Sequence, residues 1–288
     1  MKVKVKFWNT YLRKSVFSSS GWIFGIIGAI LSFIDFDKKV RMNILIAFVV
    51  FVIVYYIGMW IWANALRTVG LKVDDSTITV EQGDIFAKKW YDNKDDIKVF
   101  AFNEYFDTLV DDEIISASSL NGQFINKKVE DVPLLDDKIK NDRRLNSRHR
   151  LDNVNNDRTS GKKVKYELGS IYKFSDDVFL TALTHFDDKN RAYLSIQDYV
   201  KFLVNFWDEI DELYAGRTVV ITLFGSGITR LDHNGYTSTQ ILDTILWTFK
   251  LRRIKFKKPT KLVILLDKNT NRQINYFQLR RRFYGLQE

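Results

Sequence analysis

Two glycines that flank a serine, in Leu223-Phe-Gly-Ser-Gly-Ile-Thr-Arg230, follow a run of β-branched and aliphatic residues at 218–222. Glycines at a strand end permit backbone angles that other residues avoid, so successive N–H groups can converge on a phosphate. Taken alone, the pattern fits an ordinary turn equally well. Arg230 could pair with a diphosphate or with Asp232 on the surface. The loop therefore needs support from other strand ends.

Similar polar segments close two other predicted strands. Gln82-Gly-Asp-Ile-Phe86 ends the first strand, and Asn103-Glu-Tyr-Phe-Asp107 ends the next. Ser119-Leu-Asn-Gly-Gln-Phe124 lies in the connection that follows. In open α/β sheets, ligands bind beyond the carboxyl ends of the strands. The sequence therefore predicts one anion-binding site built from these segments and the 223–230 loop.

The elements that must position these segments read as alternating strands and helices. Predicted strands, rich in β-branched and aliphatic residues, cover 77–82, 97–102, 177–184, 218–224 and 261–266. The segment 191–214 has apolar residues at helical spacing, and a second helix at about 237–250 opens with a capping-box pair, Thr237 and Gln240. Several strands are apolar throughout. The pattern predicts an α/β sandwich with a buried, largely parallel sheet.

A different architecture precedes the sheet. Residues 43–63 carry no charge, and this length suffices for a helix to cross a bilayer. The stretch 16–34 is also uncharged, and its position before 43–63 favours a transmembrane hairpin over a signal peptide. Gly21, Gly25 and Ala29 form either a helix-packing ridge or the ordinary glycine content of membrane helices. The predicted domains are 1–70, with the tail and hairpin, and 71–288; the basic tail favours a cytoplasmic N-terminus.

The segment 127–165 interrupts the domain with charged and Asn-rich sequence. It predicts a solvated excursion with a short helix around 133–146 and a mobile tip near 152–163. The alternative is a lid in which Arg143, Arg144, Arg148 or His149 folds over an anionic ligand. Interleaved Asp residues and the lack of an aromatic series argue against nucleic acid.

Composition sets the outer limits. The 288 residues have a formal net charge of +9, which fits phosphate ligands, anionic lipid or nucleic acid alike. There is no Cys, so disulfides, thiolate zinc sites and cysteine nucleophiles are excluded. The three histidines, His149, His185 and His233, have no metal-ligand spacing, and no metal site is predicted.

The motif order QGDI, strand, Asn, NG, strand, GSGI resembles a macro domain, the fold that binds ADP-ribose. The resemblance covers roughly 75–270 and implies a three-layer α/β/α sandwich with a mixed sheet, here preceded by a two-helix transmembrane hairpin. The chain also resembles the macro-domain effectors of the bacterial Thoeris anti-phage system. The resemblance lies in the hairpin and in five segments: FNEYFDTLVDD (102–112), SLNGQF (119–124), YELGSI (166–171), HFDDKNRAYLS (185–195) and LFGSGITRL (223–231).

The resemblance assigns roles at the predicted site. Asp84 would accept a hydrogen bond from the adenine amino group, Ile85 would lie beside the ring, and Asn103 would lie near the distal ribose. Gly122 would let the first loop approach the diphosphate. The other implied ligand-binding residues are Glu104, Tyr105, Asp107, Leu120, Asn121, Gly225, Ser226, Gly227, Ile228, Thr229 and Arg230.

Two features depart from the general macro pattern. Ser116–Ser119 replaces the usual glycines, and a single Asn103 stands where a pair is common. Asn103 and Asp107 lack a clear acid–base partner, so we expect no catalysis and no cofactor. Glu104, Tyr105, Asp107 and Asp112 are instead expected to recognise an amine or imidazole on the distal ribose, with Asp111 and Asp112 equally suited to capping.

The resemblance thus implies a sensor in the bacterial inner membrane, multi-pass, with its soluble domain in the cytoplasm. A TIR-domain partner that consumes NAD would release an ADP-ribose derivative, histidine-ADP-ribose in this branch, as a nucleotide-derived messenger. Its capture would drive homo-oligomers to disrupt the lipid bilayer in abortive infection. The alternatives are a membrane-anchored ADP-ribosyl hydrolase that uses Asn103 and Asp107, and a passive ADP-ribose reader.

Overall fold

The computed structural model describes residues 3–33, 37–73, 75–187, 190–227, 231–232, 235–252 and 261–284. The chain divides into two units: Met1–Val69 with Arg272–Glu288, and Gly70–Asn271. We predicted that 272–288 would belong with the second unit. They group with the first because Phe277, on the helix α10 (Tyr276–Tyr284), is buried against Val5, Leu12 and Ala63.

The first unit is built on two helices, α1 (Thr10–Phe33) and α2 (Lys38–Ala65), which contact each other. Among the described helices, α2 alone is long and apolar enough to cross a membrane. In α1, a run of serines at 18–20 lies among the apolar residues and lowers its hydropathy. The two predicted helices are present, and the evidence for a membrane span rests on α2.

The second unit contains a mixed sheet. Its strands in spatial order are β1 (Thr68–Val73), β2 (Ser76–Gln82), β10 (Lys261–Leu266), β9 (Thr218–Thr222), β3 (Asp96–Asn103), β7 (Val178–Phe186) and β6 (Ile171–Lys173), and β8 (Ala192–Tyr193) pairs with β7. β2, β10, β9, β3 and β7 are mutually parallel, whereas β6 and β8 run antiparallel to β7. The five predicted strands are the parallel ones, so the predicted fold class is confirmed.

Helices cover both faces of the sheet. On one face, Phe100, Val220 and Leu265 pack with residues of α4 (Leu120–Lys128), α5 (Val132–Lys140) and α6 (Arg143–Arg148). Strand side chains alternate between faces, so Val219 and Ile221 point the other way, towards α7 (Ile196–Leu213) and α8 (Ser238–Arg252). The rings of Trp207 and Phe249 join α7 to α8, with centroids 5.1 Å apart. Two short helices, α3 (Lys88–Tyr91) and α9 (Lys268–Asn271), follow β2 and β10.

The excursion 127–165 is more ordered than predicted. It contains the end of α4, then α5, α6, and the hairpin of β4 (Arg150–Val154) and β5 (Val164–Tyr166). The basic residues proposed for a lid face α7: Arg144 bonds Glu209 and Glu212, and Arg148 bonds Glu212. The lid prediction is therefore wrong for these two arginines, because acids of α7 neutralise them.

Candidate functional site

A cavity of about 950 Å³ opens at the carboxyl ends of β2, β3, β9 and β10. Segments after these strands form its wall, at 82–86, 112–121, 222–227 and 265–268. Part of the stretch 183–192, around the end of β7, completes the lining. Because the strands are parallel, their carboxyl ends meet at one edge, where the sequence predicted a site.

Asp84 shapes the turn that follows β2. Its Oδ1 accepts a hydrogen bond from Phe86 N at 2.9 Å, and its carbonyl accepts one from Ala87 N. The preceding Gly83 has a structural reason to be glycine, since a Cβ there would lie 2.8 Å from Leu265 Cδ2. Asp84 is exposed and Ile85 is buried, and both line the cavity.

The loop 223–227 is a tight turn in which Ser226 N donates to the Leu223 carbonyl at 3.2 Å. Gly225 has φ +84, which favours glycine, and the Tyr199 hydroxyl of α7 donates to the Phe224 carbonyl at 2.8 Å. Burial raises the pKa of Tyr199 well above its ordinary value, so this hydroxyl stays protonated. Gly225, Ser226 and Gly227 all line the cavity. Ile228, Thr229 and Arg230 lie outside the described residues.

The loop before α4 is shaped mainly by its own backbone. Ser119 caps α4, with its Oγ accepting from Gly122 N at 3.1 Å. A Cβ on Gly122 would meet the Ser116 carbonyl oxygen at 2.2 Å. Gly122 is thus needed for this internal approach, rather than for the diphosphate as predicted. Its neighbours Leu120 and Asn121 do line the cavity.

Asn103 lies in the cavity wall, but its amide is occupied. Oδ1 accepts from the backbone N–H groups of Tyr105 and Asp107, and Nδ2 donates to Asp107 Oδ2 at 2.9 Å. The side chain holds the loop after β3 in place. Asp107 is in turn bonded by Arg158 and by Lys162 N, at 2.6 and 2.8 Å.

Glu104, Tyr105 and Asp107 do not match their predicted role. Glu104 bonds His185 Nδ1 at 2.7 Å and Lys165 Nζ at 3.1 Å. Burial alone raises the pKa of Glu104, but bonds and charges from His185 and Lys165 outweigh it and hold that pKa low. The ring of Tyr105 lies under the Arg158 guanidinium, 4.1 Å away. All three side chains are buried in internal contacts, so the prediction that they face a ligand is wrong.

Comparisons with known proteins identify the family of this chain. The family described as "Thoeris protein ThsA, Macro domain" matches residues 78–267. A Thoeris protein ThsA of Bacillus amyloliquefaciens (strain Y2) is 38% identical over 257 residues, which cover 88% of this chain and 84% of that protein. The chain belongs to the Thoeris ThsA macro-domain family.

Solved macrodomains are similar at lower identity. The Oceanobacillus iheyensis macrodomain with ADP is 10% identical, with 77% of this chain and 98% of that chain covered and a TM-score of 0.48. A mutant of the same macrodomain is 11% identical, covering 77% and 100%, with a TM-score of 0.49.

Several residues that line the cavity were not predicted from the sequence. Phe186 adds aromatic surface, and Asn190 and Arg191 add polar groups from the segment after β7. Asp267 lies directly after β10, so the rule that ligands bind beyond the carboxyl ends of parallel strands could have identified it from the sequence. Within the described residues, no cluster of three or more His, Asp or Glu could hold a metal ion. The wall offers hydrogen-bond donors, acceptors and apolar surface, as in a small-molecule binding site.

Proposed function

We propose that the cavity binds an ADP-ribose derivative and that this binding controls the helical unit. Family membership supports a role in anti-phage defence and in ADP-ribose-related binding. The single observation that carries the proposal is the convergence of the 82–86 turn and the 223–227 loop on one cavity of nucleotide size.

The ligand's parts match different sections of the wall. The exposed carboxylate of Asp84 would accept from the adenine amino group, with Ile85 beside the ring. The diphosphate would lie over the 225–227 turn, in which Ser226 and Gly227 are exposed and Gly225 is buried with φ +84. Glu113 and Arg191, the latter paired with Asp187 at 2.8 Å, place groups of both charges on the remaining wall, which suits a zwitterionic group such as histidine on the distal ribose.

The signal in this proposal is histidine-ADP-ribose, made by a TIR-domain partner that consumes NAD. Binding would favour one of two states of the protein, since a ligand that binds both equally shifts nothing. Several copies would then combine, because two helices cannot enclose a pore. In this proposal α1 and α2 both span the inner membrane, the second unit faces the cytoplasm, and the outcome is membrane disruption and abortive infection.

We propose a receptor rather than a hydrolase. The polar pair available for water activation, Asn103 and Asp107, is bonded to itself and to Arg158. A general base must reach the proton that it removes, and Asp107 is 1% exposed in a buried ion pair. A passive reader would bind the same ligand without any effect on membranes.

Calorimetry of the full-length protein in detergent tests the binding. We expect histidine-ADP-ribose to bind more tightly than ADP-ribose, and Asp84→Ala to weaken both by about tenfold, the loss of roughly one hydrogen bond to a charged group. Asp176→Ala is the matched control, because that carboxylate is 98% exposed and lies outside the cavity lining. The proposal would be overturned if neither histidine-ADP-ribose nor ADP-ribose bound. Turnover of ADP-ribose esters that Asn103→Ala abolishes would favour the hydrolase.

The effector step has its own test. The protein is reconstituted in vesicles loaded with a self-quenched dye, and each compound is added. We expect leakage and larger assemblies only with the compound that binds. Vesicles that stay sealed around ligand-saturated protein would leave the passive reader as the better description.

A further inference from the structure

The net positive charge of the chain lies in one unit. Residues 1–69 and 272–288 contain 13 Lys and Arg but three Asp and Glu, a net charge of +10. Residues 70–271 contain 31 Lys and Arg and 32 Asp and Glu, a net charge of −1, and the two values add to the +9 of the chain. The basic character therefore belongs to the helical unit and not to the cavity-bearing unit.

The fold brings distant basic segments of this unit together. Phe277 of α10 lies in one apolar cluster with Val5 and Leu12, and its ring meets that of Trp62 at 6.0 Å. Asn275 Nδ2 donates to the Lys4 carbonyl at 3.3 Å, and the Arg281 guanidinium donates to Ser15 Oγ. These contacts place α10 beside the first turns of α1.

We name as the basic collar the six exposed residues Lys6, Arg13, Lys14, Arg280, Arg281 and Arg282. Arg67, also exposed, follows the end of α2. Within the described parts of 3–33 and 272–284 there is no Asp or Glu. The neighbouring Lys4 has a lowered pKa, caused first by burial and then by the charge of Arg67. The like charge of Arg67 thus acts on Lys4.

Aromatic side chains mark the level of the collar along α2. Trp60 Nε1 donates to the Val5 carbonyl at 2.9 Å, and Phe7 contacts the rings of Tyr56 and Trp60. Trp8 is 74% exposed. Tryptophan and tyrosine concentrate at the boundary between hydrocarbon and headgroups. The collar lies beside this aromatic level, at the end of the apolar length of α2.

We propose that the basic collar binds the phosphate groups of anionic phospholipids at the bilayer surface. This inference rests on the proposed membrane-spanning role of α2. Guanidinium groups match phosphate oxygens in bidentate geometry, and clusters of Lys and Arg next to a spanning helix attract anionic headgroups. The exposed apolar side chains of α2 favour a phospholipid over other polyanions, because only a lipid offers hydrocarbon to α2 and a phosphate group to the collar in one molecule.

The test uses the full-length protein in neutral detergent and pyrene-labelled phospholipids, with the protein's tryptophans as energy donors. Phosphatidylglycerol is compared with phosphatidylcholine. We expect energy transfer at about tenfold lower mole fraction of phosphatidylglycerol, with the preference declining as salt is added. We expect the preference for phosphatidylglycerol to fall in each of two charge-removing variants. These are Arg280→Gln/Arg281→Gln/Arg282→Gln and Lys6→Gln/Arg13→Gln/Lys14→Gln. The control is Lys88→Gln/Lys138→Gln/Lys140→Gln, which removes three exposed lysines of the neutral unit.

Three outcomes would overturn the collar proposal: equal transfer from both lipids, variants that behave like the control, or displacement of phosphatidylglycerol by water-soluble glycerol 3-phosphate at matched ionic strength. The N-terminal variant leaves α10 intact, so a folding defect in the other variant does not decide the result. A separate arm measures carbonate-resistant association with pure phosphatidylcholine vesicles. Its failure would count against the spanning role of α2, and the micelle titration is read independently of it.

Discussion

The guanidinium of Arg158 and the carboxylate of Asp107 form an ion pair in which both side chains are 1% exposed, with Nη2 2.6 Å from Oδ2. The same guanidinium donates to Asn190 Oδ1, and Asn190 lines the cavity. Asp107 also accepts from Asn103, which lines the cavity as well. The pair thus joins two sections of the cavity wall to the β4–β5 hairpin segment.

Removing one partner of this pair should be costly. Arg158→Met leaves the Asp107 carboxylate buried without its counter-charge, and we expect the free energy of unfolding to fall by about 3–5 kcal/mol. Asp107→Leu/Arg158→Met should recover much of that loss. Urea denaturation of the full-length protein measures both. Lys173→Met is the control, since its partner Asp176 is 98% exposed and the cost should stay below about 1 kcal/mol. A single variant as stable as this control would contradict the account.

Two glycines of the 223–227 loop should respond differently to the same change. Gly225→Ala forces a side chain into φ +84, with Tyr199 Cε2 3.3 Å from the new Cβ, and should destabilise by about 1–2 kcal/mol. Gly227→Ala places its Cβ where no atom lies within 4 Å and should leave the midpoint of thermal unfolding unchanged. Equal midpoints for the two variants would show that the turn tolerates a non-glycine residue at 225.

Acid should weaken the second unit through Asp177. Burial alone raises the pKa of Asp177, but bonds from Lys98, Ser175 and Lys94 outweigh it and lower the pKa to about 2. The unfolded value is about 3.9, so the unfolded chain binds this proton first. The stabilisation is therefore complete above about pH 5 and declines as the pH falls towards 2. Unfolding curves of wild type and Asp177→Asn should converge over this interval, whereas Asp176→Asn should follow wild type throughout.

The arginines of α6 should be dispensable for binding. Arg144 lies 2.5 Å from Glu209 Oε2 and 3.0 Å from Glu212 Oε2, so its charge is already compensated. We expect Arg144→Gln to change the dissociation constant of ADP-ribose by less than about twofold in calorimetry. A tenfold loss without a change in stability would restore the lid interpretation.

The sequence was sufficient for elements whose signal is local. The parallel strands are apolar over their length, and the Thr237 capping box forms as predicted, with Gln240 Oε1 accepting from Thr237 N at 2.9 Å. The rule that ligands bind beyond the carboxyl ends of parallel strands predicted where the cavity lies. Asp84 and the 225–227 turn were predicted from adjacent residues and lie in its wall.

The failures concern pairings between distant residues. Asp107 and Arg158 are 51 positions apart. The sequence around each residue gives no sign that the two side chains will form a buried pair. Glu104 and His185 are 81 positions apart. Both acids stand in a loop at a strand end, where exposure is the usual state. Tertiary structure, and not local pattern, decided that they serve the wall and not the ligand.

The position of α10 in the first unit has a practical consequence for expression. A fragment designed to carry the cavity alone, starting at Thr68 and running to Glu288, would retain Phe277 and Leu279, which are 1% and 2% exposed in the full chain. Without α1 and α2, Phe277 would lose its contacts with Leu12 and Ala63 and would face water, and such a fragment should self-associate. A fragment that stops at Asn271 omits them, and we expect it to elute as a single monodisperse peak in size-exclusion chromatography.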